Sequence, residues 1–129
     1  MKSEILKGKK IMIVEDDLAS RIYLNKILEK TEAVLLNAGD GFSATKMAKD
    51  NPNLSLILMD IQLPVMDGYT AARKIKESGH SCKIMAQTAY SLADDLDKIR
   101  KSDFDDYIIK PIFADQLVEK LSTVLQKQE

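Results

Sequence analysis

Five side chains that can bind a divalent cation or a phosphoryl group follow short apolar segments of this sequence. They are Glu15 and Asp16 after the first segment, Asp60 after the third, Thr88 after the fourth and Lys110 after the fifth. Carboxylate oxygens are the hard ligands that Mg²⁺ accepts. Crowded carboxylates cost stability and raise one another's pKa values unless a cation compensates. If the five side chains meet, the sequence predicts a Mg²⁺ site with an anion as the final ligand and Lys110 as a second positive charge.

Each of these residues also has an ordinary structural interpretation. An acidic residue after a strand often caps the next helix, a threonine at a strand end is a β-former, and a lysine before a proline is usually solvated. Asp17 in particular is interpreted as a helix N-cap or an exposed charge rather than as a metal ligand. The set as a whole favours the cation site, because separate structural roles would not offset the repulsion.

The elements that must position these groups alternate along the chain. Apolar segments cover 11–14, 33–36, 54–59, 83–86 and 107–109. The strongest are too short for helices and too uniformly apolar for strands with one exposed face, which is typical of a parallel sheet covered on both faces. The pattern predicts five βα units in an α/β fold, with one domain over 1–129 and a core from about 9 to 125. Residues 1–8 and those after Leu125 are expected to fray.

Stretches with helical spacing lie between the apolar segments. Their predicted apolar faces are Leu18, Ile22, Tyr23, Ile27 and Leu28; Ala44, Met47 and Ala48; Tyr69, Ala72 and Ile75; Leu92, Leu96 and Ile99; and Leu117, Leu121, Val124 and Leu125. The predicted N-cap residues are Asp17, Asp40, Asp67 and Ser91. These signals complete the predicted alternation of strand and helix.

Composition excludes several classes of protein. The 129 residues include 19 basic and 20 acidic side chains, which leaves no electrostatic footprint for nucleic acid or an anionic membrane. The single cysteine, Cys82, excludes an internal disulfide and is expected in the core, whereas the single histidine, His80, is expected at the surface. No apolar run approaches the ~20 residues of a membrane span, and the start lacks a secretory signal. A cytoplasmic domain is expected.

Four segments carry a family resemblance. The segments 13–17, 58–68, 87–90 and 105–112, which read IVEDD, LMDIQLPVMDG, QTAY and DDYIIKPI, resemble the receiver domain of bacterial two-component signalling, in the right order and with compatible spacing. The resemblance runs from about Lys9 to Leu125. It implies a flavodoxin-like, doubly wound sheet of five parallel strands in the order 2-1-3-4-5. The sequence around Asp60 and Thr88 is similar to that of receivers of hybrid sensor histidine kinases.

The resemblance also implies roles for the candidate residues. Asp60 would accept a phosphoryl group from a phosphohistidine, with Mg²⁺ (or Mn²⁺) bound by Asp16, Asp60 and the backbone carbonyl of Gln62, and by Glu15 through water. Lys110 would pair with a phosphoryl oxygen, while Thr88 and Tyr107 would form the conformational switch. Gln62 and Tyr90 would tune hydrolysis. Implied partners are a histidine kinase or a histidine phosphotransfer protein, or a second receiver. The histidine donor would dock on the mixed surface of the first helix, which is expected to expose Arg21 and Lys26 beside Leu18 and Ile22.

Two details of the family pattern bear on the backbone. The Lys110–Pro111 bond resembles the family's cis peptide bond. The family commonly has a glycine before the aspartates of the fifth strand, whereas this chain reads Ser102-Asp103-Phe104, so Asp103 is expected to adopt the left-handed conformation at a modest cost.

Three other functions fit the residues less well than the receiver does. A haloacid dehalogenase-type phosphatase has its nucleophilic aspartate after the first strand and a second aspartate two residues later, where this chain has Gln62 after Asp60. A flavodoxin-like cofactor binder would need a phosphate loop without the repulsive Glu15 and Asp16. A fold-retaining interaction module without phosphorylation would not need the complete set of five residues.

Overall fold

The computed structural model describes residues 3–89 and 92–126 of the chain. The elements are α1 (Ser3–Leu6), β1 (Lys10–Val14), α2 (Leu18–Glu29), β2 (Val34–Ala38), α3 (Gly41–Asp50), β3 (Leu56–Asp60), α4 (Gly68–Glu77), β4 (Lys83–Thr88), α5 (Ala93–Arg100), β5 (Asp106–Ile109) and α6 (Ala114–Gln126). The five strands are parallel and lie in the order β2-β1-β3-β4-β5. The predicted doubly wound, flavodoxin-like α/β fold is therefore confirmed.

The core consists of two apolar layers, one on each face of the sheet. Side chains alternate along each strand, so that Met12 and Ile57 pack under α3, α4 and α5, whereas Ile11 and Leu56 pack under α1, α2 and α6. The central strand β3 is buried at every position. Burial on both faces explains why the strand segments are almost continuously apolar.

Aspartates begin three of the helices, as the sequence predicts. The carboxylates of Asp17, Asp40 and Asp67 accept hydrogen bonds from backbone amides three residues later, at 2.9, 2.7 and 2.9 Å. The fourth prediction, Ser91, lies outside the described residues, and the N-cap of α5 is Leu92, which has no side-chain cap. Three helices thus start where a local polar group satisfies free backbone amides.

The predicted apolar face of α2 is partly wrong. The residues of α2 buried against the sheet are Leu24, Ile27 and Leu28. Leu18, Ile22 and Tyr23, which were expected on the same buried face, are about half exposed or more. Leu92, expected on the buried face of α5, is also exposed. Helical spacing alone does not distinguish a core face from an apolar surface.

The amino terminus is more ordered than the sequence suggests. Residues 3–6 form the short helix α1, and the side chain of Leu6 is completely buried in the layer that includes Leu121 and Val124 of α6. The backbone amide of Gly8 also donates to the carbonyl of Glu32 at 3.0 Å. The expectation that residues 1–8 fray is therefore wrong for the described part of this segment, because tertiary packing stabilises a helix too short to persist alone.

The turn between α5 and β5 is closed by side-chain hydrogen bonds instead of the expected left-handed residue. The described residues with positive φ other than glycine are Glu32 and Val65, so Asp103 does not adopt the left-handed conformation. Instead, the hydroxyl of Ser102 donates to the carbonyl of Ile99 at 2.5 Å and accepts from the amide of Phe104 at 3.3 Å. A side-chain hydroxyl thus closes the turn without a glycine.

The surroundings of the single cysteine and the single histidine are also defined. Cys82 is buried as expected, and burial raises the pKa of its thiol to about 11. His80 is half-buried rather than exposed: its Nε2 lies 3.0 Å from the carbonyl of Asn51, and its Nδ1 accepts from the amide of Cys82 at 3.1 Å. The ring is therefore the Nε2-protonated tautomer, with both nitrogens bonded.

Replacing the buried leucine of α1 tests the contribution of the amino-terminal helix. We expect Leu6→Ala to lower the free energy of unfolding by about 2–5 kcal/mol, because it leaves a cavity in a packed layer. Lys7→Ala, at an exposed neighbouring position, is the control and should change stability by less than about 0.5 kcal/mol. Urea unfolding measures both, and equal stabilities of Leu6→Ala and the wild type would contradict the packing of α1.

Candidate functional site

The carboxyl ends of β1 and β3 bring three carboxylates together. Glu15 and Asp16 follow β1 directly, Asp60 is the last residue of β3, and oxygen atoms of all three lie within 4.8 Å of one another. Glu15 and Asp60 are buried, whereas Asp16 is exposed. The adjacent pairing of β1 with β3 makes this convergence possible, as the sequence predicts.

Lys110 provides a positive charge to the two buried carboxylates. Its Nζ donates to Asp60 Oδ2 at 2.9 Å and lies 3.7 Å from Glu15 Oε1. Burial alone would lower the pKa of Lys110, but the hydrogen bond and charge of Asp60, together with Glu15, raise it above its usual value. The lysine follows β5, and its peptide bond to Pro111 is cis.

Glu15 lacks full compensation in this arrangement. Its Oε2 accepts from the amide of Asp17 at 3.1 Å, whereas its Oε1, which is buried, has no hydrogen-bond partner among the described residues. Burial, with some repulsion from Asp60, raises the pKa of Glu15 to about 7. A buried carboxylate oxygen that faces two further carboxylates fits a small divalent cation, because only a cation with several oxygen ligands satisfies all three.

Asp17 does not belong to the carboxylate cluster. Its side chain accepts from both the backbone amide and the hydroxyl of Ser20, at 2.9 and 2.8 Å. These two hydrogen bonds lower the pKa of Asp17 below its usual value. The predicted assignment of Asp17 to helix capping agrees with this geometry.

The loop after β3 holds Asp60 through backbone contacts. The amide of Gln62 donates to Asp60 Oδ1 at 2.9 Å, so that the two carboxylate oxygens of Asp60 bond to Gln62 and Lys110 respectively. A Cβ atom on Gly68 would lie 2.5 Å from the carbonyl oxygen of Asp60, so this approach requires glycine. Val65 has a φ of 68°, and Met66 donates to the carbonyl of Pro64 at 2.7 Å, which defines a tight and strained turn.

The two predicted switch residues lie on neighbouring strands. Thr88 is buried at the end of β4, and its carbonyl accepts from the amide of Lys110 at 2.7 Å. Tyr107 on β5 is half-buried, with Lys120 Nζ 5.0 Å from its ring centre and Arg100 donating to its hydroxyl at 3.4 Å. Tyr90, the predicted tuning residue, lies outside the described residues.

An open cleft of about 950 Å³ contains the cluster. Its walls include Gln62, whose side chain is exposed, and two residues that the sequence reasoning did not place there, Tyr69 and Lys98. Lys98 Nζ lies 4.5 Å from the centre of the Tyr69 ring. No sequence signal joins these two, because Tyr69 belongs to α4 and Lys98 to α5, and only the packing of both helices on one sheet face brings them to the cleft.

A family model describes the same segment of chain. The model of the response regulator receiver domain matches residues 11–122, which is most of the chain. The chain belongs to the response regulator receiver domain family. The resemblance drawn from the motifs around Asp16, Asp60, Thr88 and Lys110 is thereby confirmed at the level of the family.

The receiver domain is similar to proteins from several organisms. It is 35% identical over 136 residues to "Probable histidine kinase 2" of Oryza sativa subsp. indica, covering 92% of this chain but 13% of the rice protein. It is 30% identical, with a TM-score of 0.84, to the receiver domain of sensor histidine kinase PA1611 from Pseudomonas aeruginosa PAO1, solved with a magnesium ion coordinated in its active site cleft. That alignment covers 93% of this chain and 99% of the other.

A third similar protein was solved in a complex. The receiver domain of the Saccharomyces cerevisiae response regulator Ssk1, co-crystallised with the histidine phosphotransfer protein Ypd1, is 28% identical with a TM-score of 0.87. The alignment covers 95% of this receiver domain and 92% of that chain.

In the part of the receiver domain that the structure describes, no helix combines the length and hydropathy required to cross a bilayer.

The raised pKa of Glu15 predicts a pH dependence of stability in metal-free protein. A carboxyl that binds its proton more tightly when folded loses stabilisation as pH rises from about 4.5, its ordinary pKa, to about 7. We expect the free energy of unfolding, measured with urea and a chelator, to fall less between about pH 5 and about pH 8 in Glu15→Gln than in the wild type.

The exposed Glu29 offers a matched control for this measurement. Glu29→Gln removes one carboxylate without touching the cluster, so its pH dependence should follow that of the wild type. If Glu15→Gln and Glu29→Gln had the same pH dependence, the raised pKa of Glu15 would be contradicted.

Proposed function

We propose that this receiver domain is a phosphoacceptor switch that takes a phosphoryl group from a phosphohistidine partner onto Asp60 in a Mg²⁺-dependent reaction. The observation that carries the proposal is the buried carboxylate of Asp60, held between Lys110 at 2.9 Å and the acidic pair Glu15 and Asp16. Residues 1–129 are proposed to form this single domain. The receiver spans 13% of the length of the rice kinase it resembles.

The chemistry proposed for Asp60 is a displacement at phosphorus. A carboxylate oxygen of Asp60 attacks, a new O–P bond forms, and the N–P bond to the donor imidazole breaks with its electron pair returning to the ring nitrogen. Asp60 is positioned for this attack, because Lys110 and the amide of Gln62 each donate a hydrogen bond to one of its two carboxylate oxygens. The reaction therefore depends mainly on positioning and on neutralising charge.

The acidic residues and Lys110 would supply that neutralisation. Asp16, Asp60 and the carbonyl of Gln62 are proposed to bind Mg²⁺ directly and Glu15 through water, as in the family pattern. Bound Mg²⁺ would lower the repulsion between Asp60 and the incoming phosphoryl oxygens. Lys110 would move its hydrogen bond from the Asp60 carboxylate to a phosphoryl oxygen, so that the ammonium remains paired throughout.

The proposed readout uses Thr88 and Tyr107. The hydroxyl of Thr88 would bond to a phosphoryl oxygen, and this new contact would favour an inward position of Tyr107. In the structure the Tyr107 ring contacts the cations of Lys120 and Arg100, so an inward rotation must break these contacts. The phosphoryl group therefore biases an existing equilibrium instead of creating a new fold.

The proposed docking face for the histidine donor adjoins the cleft. Leu18 and Ile22 of α2 are 60% and 49% exposed, and Phe113, after β5, is 63% exposed. The hydroxyl of Tyr23 donates to the carbonyl of Ile112 at 2.6 Å, which fixes α2 against the segment that follows Lys110. An apolar surface at the mouth of the cleft suits a partner helix that presents its phosphohistidine to Asp60.

Phosphorylation by a small donor tests the acceptor directly. With Mg²⁺ and acetyl phosphate, we expect intact-mass spectrometry to find a gain of about 80 Da, the mass of one phosphoryl group, in the wild type. Asp60→Asn should lose the gain in mass. Asp103→Asn removes an exposed carboxylate that is not part of the cluster, so this variant should keep the gain. A gain that persists in Asp60→Asn would reject Asp60 as the acceptor.

Two exposed apolar residues with equal accessibility test the docking face. Ile22 and Val34 are each 49% exposed, but Ile22 lies on α2 two residues after Ser20, which lines the cleft, and Val34 begins the edge strand β2. We expect Ile22→Ser to slow transfer from a phosphorylated histidine phosphotransfer protein by about tenfold, since loss of an apolar anchor costs more than ~1 kcal/mol. Val34→Ser should transfer at the wild-type rate.

Acetyl phosphate separates docking from chemistry in the same variants. Ile22→Ser should react with this small donor as fast as the wild type, because only the protein–protein contact is changed. A similar loss with both donors, or a similar loss in Val34→Ser, would contradict the proposed docking face.

A further inference from the structure

A second groove runs along the outer surface of α3 and α4, on the face of the sheet opposite α2. Its volume is about 740 Å³, which is within the usual range of binding pockets. Its lining includes Phe42, Met66, Lys46, Lys49, Lys74 and His80. None of them lines the cleft of Asp60. The groove is therefore a separate surface.

One end of the groove is apolar and exposed. Phe42, at the start of α3, is 59% exposed, and Met66 lies beside it in the lining. Val65, the next residue to Met66, is 85% exposed despite its strained backbone. Clustered apolar side chains of this size in contact with water are typical of a surface that another molecule covers.

The walls of the groove carry one sign of charge. Lys46 and Lys49 project from α3 and Lys74 from α4, and the lining contains no carboxylate. Among the described residues, none of these three lysines has an ion pair. Lys49 and Lys74 lie in the last turns of their helices, where a cation also interacts favourably with the helix dipole, but that interaction does not require the lysines to surround a common groove. Unpaired cations around an apolar surface complement an acidic partner.

Contacts within the chain hold the walls of the groove in place. A Cβ atom on Gly41 would lie 2.1 Å from the carbonyl oxygen of Met66, so α3 and the loop before α4 are in direct backbone contact. At the other end, both ring nitrogens of His80 are hydrogen-bonded. A rigid surface loses little conformational entropy when a partner binds.

We propose that this groove docks an acidic amphipathic helix of a partner protein. An apolar side chain would cover Phe42 and Met66, and carboxylates on both flanks would face the three lysines. The lining residues of α3 from Phe42 to Lys49 span roughly 10 Å of helix at 1.5 Å per residue, which matches anchors at positions i, i+4 and i+7 of a docked helix. The helix binds without covering Asp60, so this inference does not depend on the proposed phosphoacceptor function.

A synthetic helix provides a defined probe of the groove. The probe is a fluorescein-labelled peptide with leucines at i, i+4 and i+7 and glutamates on the flanks, and its binding is measured by fluorescence anisotropy. We expect Lys46→Glu/Lys49→Glu to weaken binding at least tenfold. Lys26→Glu/Lys30→Glu, which makes the same charge change at two exposed positions of α2 and its C-cap, should bind like the wild type.

Two further measurements distinguish docking of the helix in the groove from non-specific electrostatic attraction of an acidic peptide. Amide chemical shifts on addition of the glutamate peptide should change most in the segments 42–52 and 74–81, which line the groove, and not at Asp60 and Gln62 of the other cleft. The same peptide with lysines in place of glutamates should not bind. Phosphorylation by acetyl phosphate should be unchanged in Lys46→Glu/Lys49→Glu, which shows that the variant is folded.

Several results would overturn the proposal. These are absence of glutamate-peptide binding, equal binding by both double variants, and shifts centred on α2 or α6. Co-sedimentation with anionic phosphatidylserine vesicles that the lysine reversals abolish, without peptide binding, would assign the groove to a membrane surface instead. Self-association that the reversals abolish, again without peptide binding, would assign it to a second copy.

Discussion

The ion pair between Lys110 and Asp60 is the interaction on which the rest of the site depends. It joins the ends of two strands that are separated by β4, and it places a cation 2.9 Å from one buried carboxylate and 3.7 Å from another. One ammonium does not balance Glu15, Asp16 and Asp60 together. The residual negative charge is costly to bury, and the same residual charge attracts a divalent cation and readies the site for a phosphoryl group.

The fold supplies this arrangement at little local cost. Parallel strands place their carboxyl ends at one edge, and the two apolar layers hold β1, β3 and β5 in fixed register. The charged residues have special backbone at two places, the loop where Gly68 approaches the carbonyl of Asp60 and the cis peptide bond between Lys110 and Pro111. Function and stability are thus divided: the strand interiors stabilise the sheet, while the strand ends bear the uncompensated charge.

The sequence predicts those parts of the structure that local chemistry determines. Continuous apolar segments identified the five strands, and Asp17, which contacts residues only three positions away, was correctly interpreted as a cap. Features that need distant contacts were missed. The burial of Leu6 depends on α6, and the exposed side of α2 at Ile22 has the same spacing as a core face. The cation–π contact of Tyr69 with Lys98 requires two helices to pack on one sheet face.

A crystal structure of the protein with Mg²⁺ and beryllofluoride tests the central claim most directly. We expect a metal ion at the ~2.1 Å separation usual for direct Mg²⁺ ligands from oxygens of Asp16, Asp60 and the backbone carbonyl of Gln62, with Glu15 bound to it through water. We also expect beryllofluoride attached to Asp60, and Lys110 bonded to a fluorine. An empty cluster, with the Asp60 side chain turned away from Lys110 and no beryllofluoride attached, would contradict it.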